Sequence, residues 1–417
     1  MDAVEDIKQR LSIEDVVGEY VELKRAGRNW KGLSPFSSER TPSFMVSPEK
    51  QIWHDFSSGK GGSMFGFIME MEGVDFKGAL EILARKAGID LDQYRGTRAG
   101  KGGKEKERLY ELLEWATKFY QAQLKSNQEA LEYVFKKRGF TKETALEWRL
   151  GYSPNTGQAL VTFLKGKQFS DHDIKAAGLS AKRFRGGTGD MFRGRIMVPL
   201  ADPQGRVIGF TARLLRDDPD APKYINTPQT VLYDKSRHVF GLHLAKEAIR
   251  KSKFVVVAEG NLDVISSHQA GVRQVVATAG TALTEAHLKA LSRFTGDIRL
   301  SFDADDAGMN ATERAIPIAS KVDVSLSIIT ISSGKDPDEL IRQDAEAWRQ
   351  VIAKPQYALD WLIDRYRAKL DIATAPGKRA FSDVTLAVIR GLTDSVEQDH
   401  YLEHVAKLIG VSREALV

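Results

Sequence analysis

The residues best placed to do chemistry in this chain are acidic, and they follow apolar runs. Glu259 ends Val255-Val-Val-Ala-Glu-Gly260, and Asp303 and Asp305 stand in Ser301-Phe-Asp-Ala-Asp-Asp-Ala-Gly308, directly after the run Ile298 to Phe302. Asp263 lies one helical turn beyond Glu259, and Asp336 and Asp338 follow a later run in Gly334-Lys-Asp-Pro-Asp-Glu339. Carboxylates brought together repel one another unless a cation sits among them, and an all-oxygen donor set suits Mg2+, or Mn2+ in its place. Such an ion keeps several waters and takes further ligands from substrate phosphates. Taken singly, an acid after a strand is more often a helix cap. Asp305 or Asp306 could cap the next helix, and Asp263 could answer a first-turn dipole. Several at the ends of alternating strands point instead to a site.

The elements that must hold these acids are legible as an alternation. Four apolar runs, Phe254 to Ala258, Gln274 to Thr278, Ile298 to Phe302 and Val324 to Ile331, are separated by helical patterns at Leu262 to Ala270, Glu285 to Phe294 and Ala307 to Ser320. Continuous apolar strands between amphipathic helices predict a parallel sheet covered on both faces, with right-handed crossovers. Ligands of such sheets bind beyond the strands' carboxyl ends, where the acids fall. Residues 253–344 are therefore expected to form one α/β subdomain and 345–417 a helical end, broken near Ala375-Pro-Gly377 and Gly391.

Upstream, residues 109–252 combine helical spacing at Leu109 to Tyr120 and Glu129 to Lys136 with short β-rich runs over Phe184 to Leu215. The net charge of the whole chain is only +5, yet Lys182 to Arg216 carries eight basic residues against Asp190 and Asp202. Such a block is the footprint of a polyanion site, the alternative being a solvated basic face. Arg95 to Arg108, with four glycines and nothing apolar larger than Ala99, is expected to be a flexible linker behind a small domain over 1–94.

The 417 residues, 42% hydrophobic, suffice for two or three domains with ordinary cores. No stretch approaches the roughly 18 consecutive apolar residues of a membrane span, and MDAVEDIKQR lacks the apolar core of a secretion signal, so no membrane partner and a cytoplasmic location are expected. The absence of cysteine excludes disulfides, thiol catalysis and every zinc site built on thiolate.

A strand ending in Glu-Gly, followed by one ending in Asp-x-Asp, resembles the toprim domain shared by DnaG-type primases, type IA and type II topoisomerases and some nucleases. The motifs Glu259-Gly-Asn-Leu-Asp-Val-Ile265, Asp303-Ala-Asp-Asp-Ala-Gly308 and Asp336-Pro-Asp338 narrow the resemblance to the bacterial DnaG-type primases. Phe192-Arg-Gly-Arg-Ile-Met-Val-Pro199, Gly205-Arg-Val-Ile-Gly-Phe-Thr-Ala-Arg213, Pro222-Lys-Tyr-Ile-Asn-Thr-Pro228 and Tyr233-Asp-Lys-Ser-Arg237 resemble the basic half of that family's polymerase core. The match extends over roughly residues 1 to 370.

The resemblance implies an α/β multidomain protein. Its parts are a zinc-ribbon-like N-terminal domain, a basic α/β subdomain, a toprim parallel sheet with flanking helices and a helical C-terminal end. It implies synthesis of short RNA primers from ribonucleoside triphosphates on single-stranded DNA at the replication fork, leaving an RNA–DNA primer duplex. Glu259, Asp263, Asp303, Asp305, Asp336 and Asp338 would hold two metals for in-line nucleotidyl transfer, with Glu259, Asp303 and Asp305 catalytic. Arg193, Arg195, Arg213, Lys223 and Lys235 would contact template and nucleotide phosphates, and Tyr224 and Asn226 would help orient the nucleotide. Toprim strand cleavage and non-catalytic single-stranded DNA binding are the alternatives; the basic blocks weigh against the first and the acidic motifs against the second.

Two departures from the family pattern stand out. Where its zinc ribbon carries Cys-Pro-Phe-His and Cys-x-x-Cys, this chain has Ser34, Ser37, Asp55 and Ser58. Serine hydroxyls are poor zinc ligands, so no zinc is expected, and the aromatics Trp30, Phe36, Phe44, Trp53, Phe56, Phe65 and Phe67 are expected to hold the domain by packing, the alternative being that one or two exposed members stack on bases. His54 beside Asp55 reads as a surface or strand residue. The family's usual helicase-docking domain is expected to be missing from this chain.

Overall fold

The structure, a computed structural model, describes residues 3–37, 39–89, 91, 97–182, 187–302, 306–331 and 336–416. It falls into two compact units, Met1–Asp234 with Leu242–Lys251, and Lys235–Gly241 with Ser252–Val417.

The first unit begins with helices Ala3–Arg10 and Ile13–Gly18, the latter capped by Ser12 accepting from the Asp15 N–H. An antiparallel meander follows: β1 (Lys24–Ala26), β2 (Asn29–Gly32), β3 (Phe44–Ser47), β4 (Ile52–Asp55) and β5 (Gly61–Gly62). Helices Met64–Glu72 and Phe76–Lys86 close it, capped by Ser63 and Asp75. Alternation along β3 and β4 turns Phe44, Val46 and Trp53 inward. Trp53 stacks on Phe44 at 5.4 Å and meets Phe67 edge-on at 5.6 Å. Phe65 is also buried, Phe36 and Trp30 pack against this core, and Phe56 is 70% exposed. Packing therefore accounts for most of the aromatics expected to hold the domain, and leaves Phe56 outside it.

The segment expected to be a flexible linker is corrected by the helix Thr97–Lys125. Glycines in its first turns each cost about 1 kcal/mol against alanine. The Lys, Glu and Arg residues after them are good helix formers, and they run in register into Leu109, Leu112, Leu113, Ala116 and Tyr120, all buried in the core of the basic subdomain. That core is completed by an antiparallel sheet in the order β11 (Tyr224–Asn226), β10 (Val207–Leu214), β9 (Arg195–Ala201), β6 (Gly151–Ser153), with β7 (Ser180–Lys182) and β8 (Thr188–Asp190) as a separate hairpin. β6 lies so close to the long helix that a Cβ on Gly151 would sit 2.5 Å from the Tyr120 Cβ.

The second unit is built on one sheet, in the order β13 (Val275–Ala277), β12 (Val255–Ala258), β14 (Asp297–Ser301), β15 (Ser325–Ile328), β16 (Gln356–Tyr357). The first four strands are parallel, as the alternation of strand runs with helical patterns predicts. β16 is antiparallel, a two-residue edge unmarked in the sequence. Helices Asn261–Gln269, Glu285–Ser292 and Asp306–Val322 cross between strands. Helices Ala358–Lys369, Ala375–Ile389 and Ser395–Ile409 form the C-terminal end around Leu359, Leu362, Phe381 and Val405.

Candidate functional site

The strand order makes β12 and β14 the pair at which the winding reverses, since the chain goes from β12 to one side and then returns to the other. Crevices at such reversals are where α/β sheets bind ligands. The register Ala258↔Ser301 puts the carboxyl ends of these two strands level. Glu259 follows directly, exposed, and Phe302 follows on the neighbouring strand. Asp303 and Asp305 lie outside the described residues.

Three further acids meet beside this edge. Asp263 sits in the first turn of Asn261–Gln269, buried, its Oδ2 accepting from the Gly260 N–H at 3.1 Å. A Cβ at residue 260 would lie 2.5 Å from that oxygen, so any larger residue there would displace the Asp263 carboxylate. Asp336 caps the helix Pro337–Gln343, accepting from the Glu339 N–H at 2.8 Å. Asp338, also buried, accepts from the Ser266 hydroxyl and pairs with Arg342 at 3.2 Å. Burial, then the charges of Asp336 and Asp338, push the Asp263 carboxyl up to about 7. Asn261 Oδ1 and Ser301 Oγ are buried at the same edge with no hydrogen-bond partner among the described residues. Orphaned polar atoms beside mutually repelling carboxylates fit a site that takes a cation and a polar ligand. Among the described residues alone, no group of three or more acidic or imidazole side chains closes around a metal.

In the first unit, the sequence-predicted basic residues divide by burial. Arg193, Lys223 and Tyr224 are exposed. Arg195 is buried in β9, donating to the carbonyls of Ala212 at 3.4 Å and Lys223 at 3.3 Å. Arg213 is buried in β10, its guanidinium 4.7 Å from the Tyr133 ring and 5.9 Å from Tyr224. Asn226 is half-buried on β11. Arg193, Arg195 and Asn155 line a cleft of about 900 Å³ that also contains Arg216, paired bidentately with Glu129 at 2.8 Å. Lys235, exposed, belongs to the second unit. Arg183 and Arg185 of the basic block are not among the described residues.

Sequence reasoning missed Tyr133 and Arg138. Tyr133–Lys137 is a π-helical turn, a distortion common at functional sites, and Arg138 donates to the Tyr133 hydroxyl at 2.7 Å. The available signal was an aromatic followed by a basic run, Tyr133-Val-Phe-Lys-Lys-Arg138.

The four degenerate ligand positions Ser34, Ser37, Asp55 and Ser58 come together in the N-terminal domain, with Asp55 at 0% exposure. His54, next to it, faces outward and lies 4.5 Å from the Phe56 ring.

Four family models match the chain. They are described as the CHC2 zinc finger over residues 1–99, the N-terminal domain of the DNA primase catalytic core over 119–246, a Toprim-like domain over 256–341 and the DnaB-helicase binding domain of primase over 359–414. The last match corrects the expectation that a helicase-docking domain is missing. The DNA primase of Geobacillus stearothermophilus is 38% identical over 426 residues, covering 100% of this chain and 70% of its own. The Aquifex aeolicus primase, solved with its zinc-binding and RNA polymerase domains, is 31% identical with a TM-score of 0.65, covering 100% of this chain and 99% of its own. A DnaG primase catalytic domain bound to single-stranded DNA is 26% identical with a TM-score of 0.66, covering 75% of this chain and 99% of its own.

Proposed function

The chain belongs to the bacterial DnaG-type DNA primases and synthesises RNA primers on DNA templates, and we propose that it does so at the acidic edge of β12 and β14. The observation that carries this reading is the level register of the two strands at the point where the sheet's winding reverses, with Glu259 directly after one and Phe302, which the Asp303-Ala-Asp305 motif follows in the sequence, directly after the other.

Glu259, Asp263, Asp303, Asp305, Asp336 and Asp338 hold the divalent ions, Mg2+ or Mn2+. An all-oxygen donor set selects hard cations, and the raised Asp263 carboxyl is that of a cluster short of positive charge. When bound, such ions activate the primer 3′-hydroxyl and neutralise the triphosphate leaving group. The protein's own part is positioning. Asp336 and Asp338 are fixed by the start of one helix, Asp263 by the start of another, and Ser266 ties the two helices together.

The exposed Arg193 and Lys223 contact template or nucleotide phosphates, and Tyr224, backed by Arg213 and Tyr133, offers a ring face to a base or sugar. Arg195 holds strand carbonyls and shapes the cleft from within. Lys235, exposed on the second unit, contacts phosphates as well. The match over 119–246 to a primase core favours this reading over toprim strand cleavage. Residues 359–414 support contact with a replicative helicase at the fork, in the cytoplasm.

The test is labelled ribonucleotide incorporation on single-stranded DNA with Mg2+ or Mn2+, comparing the unsubstituted chain with Glu259→Gln and Asp303→Asn. Short RNA products lost in both variants are expected. Equal product from either variant would remove that acid from the site.

A further inference from the structure

The N-terminal domain matches a zinc-finger family, but the residues at its ligand positions do not fit the metal. In a tetrahedral zinc site, bonds of 2.0–2.3 Å keep the donors roughly 3.3–3.8 Å apart. Here Ser34 Oγ lies 2.8 Å and Ser58 Oγ 2.5 Å from the same oxygen of Asp55, hydrogen-bond distances with no space for an ion between them.

What occupies the centre is the carboxylate. Asp55 Oδ2 accepts from the hydroxyls of Ser34 and Ser58 and from the Ser58 N–H at 3.2 Å. Ser57 Oγ reaches both oxygens at 3.2 Å, and Ser43 Oγ lies 3.1 Å from Oδ1. The fourth ligand position, Ser37, is tied in at one remove: its N–H donates to Ser34 Oγ at 3.2 Å and its hydroxyl bonds Ser57 Oγ at 2.6 Å. Glu39 closes an outer ring, accepting from the Ser34 N–H at 2.7 Å and from the N–H and hydroxyl of Ser43 at 3.0 and 2.6 Å. The loop around Ser34 and the turn after β4, which a metal would cross-link, are thus bound to one side chain.

We propose that the ionised Asp55 carboxylate replaces the zinc ion as the cross-link of this domain. The charges are inverted: an anion collects hydroxyl and amide donors where a cation would have collected thiolates. A buried carboxylate needs several donors to stay charged, and this one has them. Burial pushes its carboxyl up, but the hydrogen bonds from Ser58, Ser34 and Ser43 outweigh burial and leave it below the usual carboxylate range. The domain therefore needs neither metal nor thiol to remain folded, and its fold is indifferent to zinc supply and to thiol oxidants.

The test is amide hydrogen exchange on the intact chain, read in peptides spanning residues 30–62. A zinc-selective chelator or added Zn2+ should leave exchange there unchanged in the unsubstituted chain. Asp55→Ala should accelerate it at least about tenfold, since several buried donors lose their acceptor, with the sheet of the second unit unaffected. Asp55→Asn, which keeps the shape and loses the charge, should fall between. The combined Ser34→Cys, Ser37→His, Asp55→Cys and Ser58→Cys chain should bind one Zn2+ and depend on it for protection. Slower exchange on adding Zn2+ to the unsubstituted chain, unchanged exchange in Asp55→Ala, or no zinc uptake by the fourfold variant would each overturn the proposal.

Discussion

Lys246 on the helix Leu242–Ser252 forms an ion pair with Glu72, the last residue of the helix Met64–Glu72, and each side chain is only 13% exposed. Tyr20 donates to the other Glu72 oxygen at 2.7 Å, and Arg250 donates to the carbonyls of Glu70 and Met71, the free acceptors of that helix end. Removing one partner of a pair this sheltered leaves an uncompensated charge at a cost of about 3 kcal/mol, whereas removing both costs little. Lys246→Met should therefore speed hydrogen exchange in both helices, and Lys246→Met combined with Glu72→Leu should restore most of the protection. Additive effects of the two changes would show that the pair does not couple the N-terminal domain to this helix.

The neighbouring His243 gives the first unit a pH response. Burial and then the Lys246 charge push its imidazole down to about 4, so it is neutral in the fold and must take up a proton on unfolding in mild acid. A folded pKa below the unfolded value of about 6.5 contributes stability that is complete above 6.5 and lost as pH falls towards 4. Asp55 acts in a lower window, its folded value lying below the unfolded one near 3.9. The unfolding midpoint of the first unit should decline between about pH 6.5 and 4 and again more steeply below about 4. His243→Gln should flatten the upper decline and Asp55→Asn the lower one; an unchanged upper slope in the first variant would assign it to another group.

Asp263 carries opposite demands. Its carboxyl is raised by burial and by Asp336 and Asp338, so without a cation the charge works against the fold. Asp263→Asn keeps an acceptor for the Gly260 N–H and removes the repulsion. It should raise the melting temperature of the second unit in metal-free buffer, abolish most of the stabilisation by Mg2+, and lower primer synthesis at least about a hundredfold, the scale of losing one electrostatic contact to transition-state charge. A variant that melts lower than the unsubstituted chain without metal would mean the carboxylate is structural.

Phe56 stands largely in solvent, 70% exposed, beside His54. An exposed ring adds little to the fold, and stacking on a base contributes about 1–3 kcal/mol. Phe56→Ala should leave thermal stability within about 0.5 kcal/mol of the parent and weaken single-stranded DNA binding at least about fivefold. Unchanged affinity would exclude Phe56 from template contact.

How much of this was legible in the sequence depended on whether a feature was local. Val255 to Ala258 is an unbroken apolar run because its strand is covered on both faces, and its pairing with the strand Asp297–Ser301, where Arg299 and Ser301 interrupt the apolar residues, puts Glu259 and Phe302 at one edge. The glycines after Arg95 read as a linker because their cost is local, while the packing of Leu109, Leu112 and Tyr120 that carries the helix Thr97–Lys125 is tertiary. β16 is too short to announce itself. The zinc-ligand positions could be read as unable to bind zinc, yet the Asp55 knot depends on turns that bring Ser34, Ser43, Ser57 and Ser58 to one point, which residue type does not disclose.

The same limit separates the arginines. Arg193 and Arg195 are alike in sequence and two residues apart, but β9 turns Arg195 inward onto the carbonyls of Ala212 and Lys223 and leaves Arg193 in solvent at the cleft. Burial pulls the Arg195 guanidinium down, though far from any pH at which it would lose its charge, so it is a buried cation whose compensation is backbone dipoles. Arg195→Ala should destabilise the first unit by about 2 kcal/mol through unpaired carbonyls and a cavity in the sheet. Arg193→Ala should leave stability unchanged, weaken single-stranded DNA binding across sequences and reduce the slope of log affinity against log salt by about one. A full salt slope in Arg193→Ala, or destabilisation by it comparable to Arg195→Ala, would reverse this assignment.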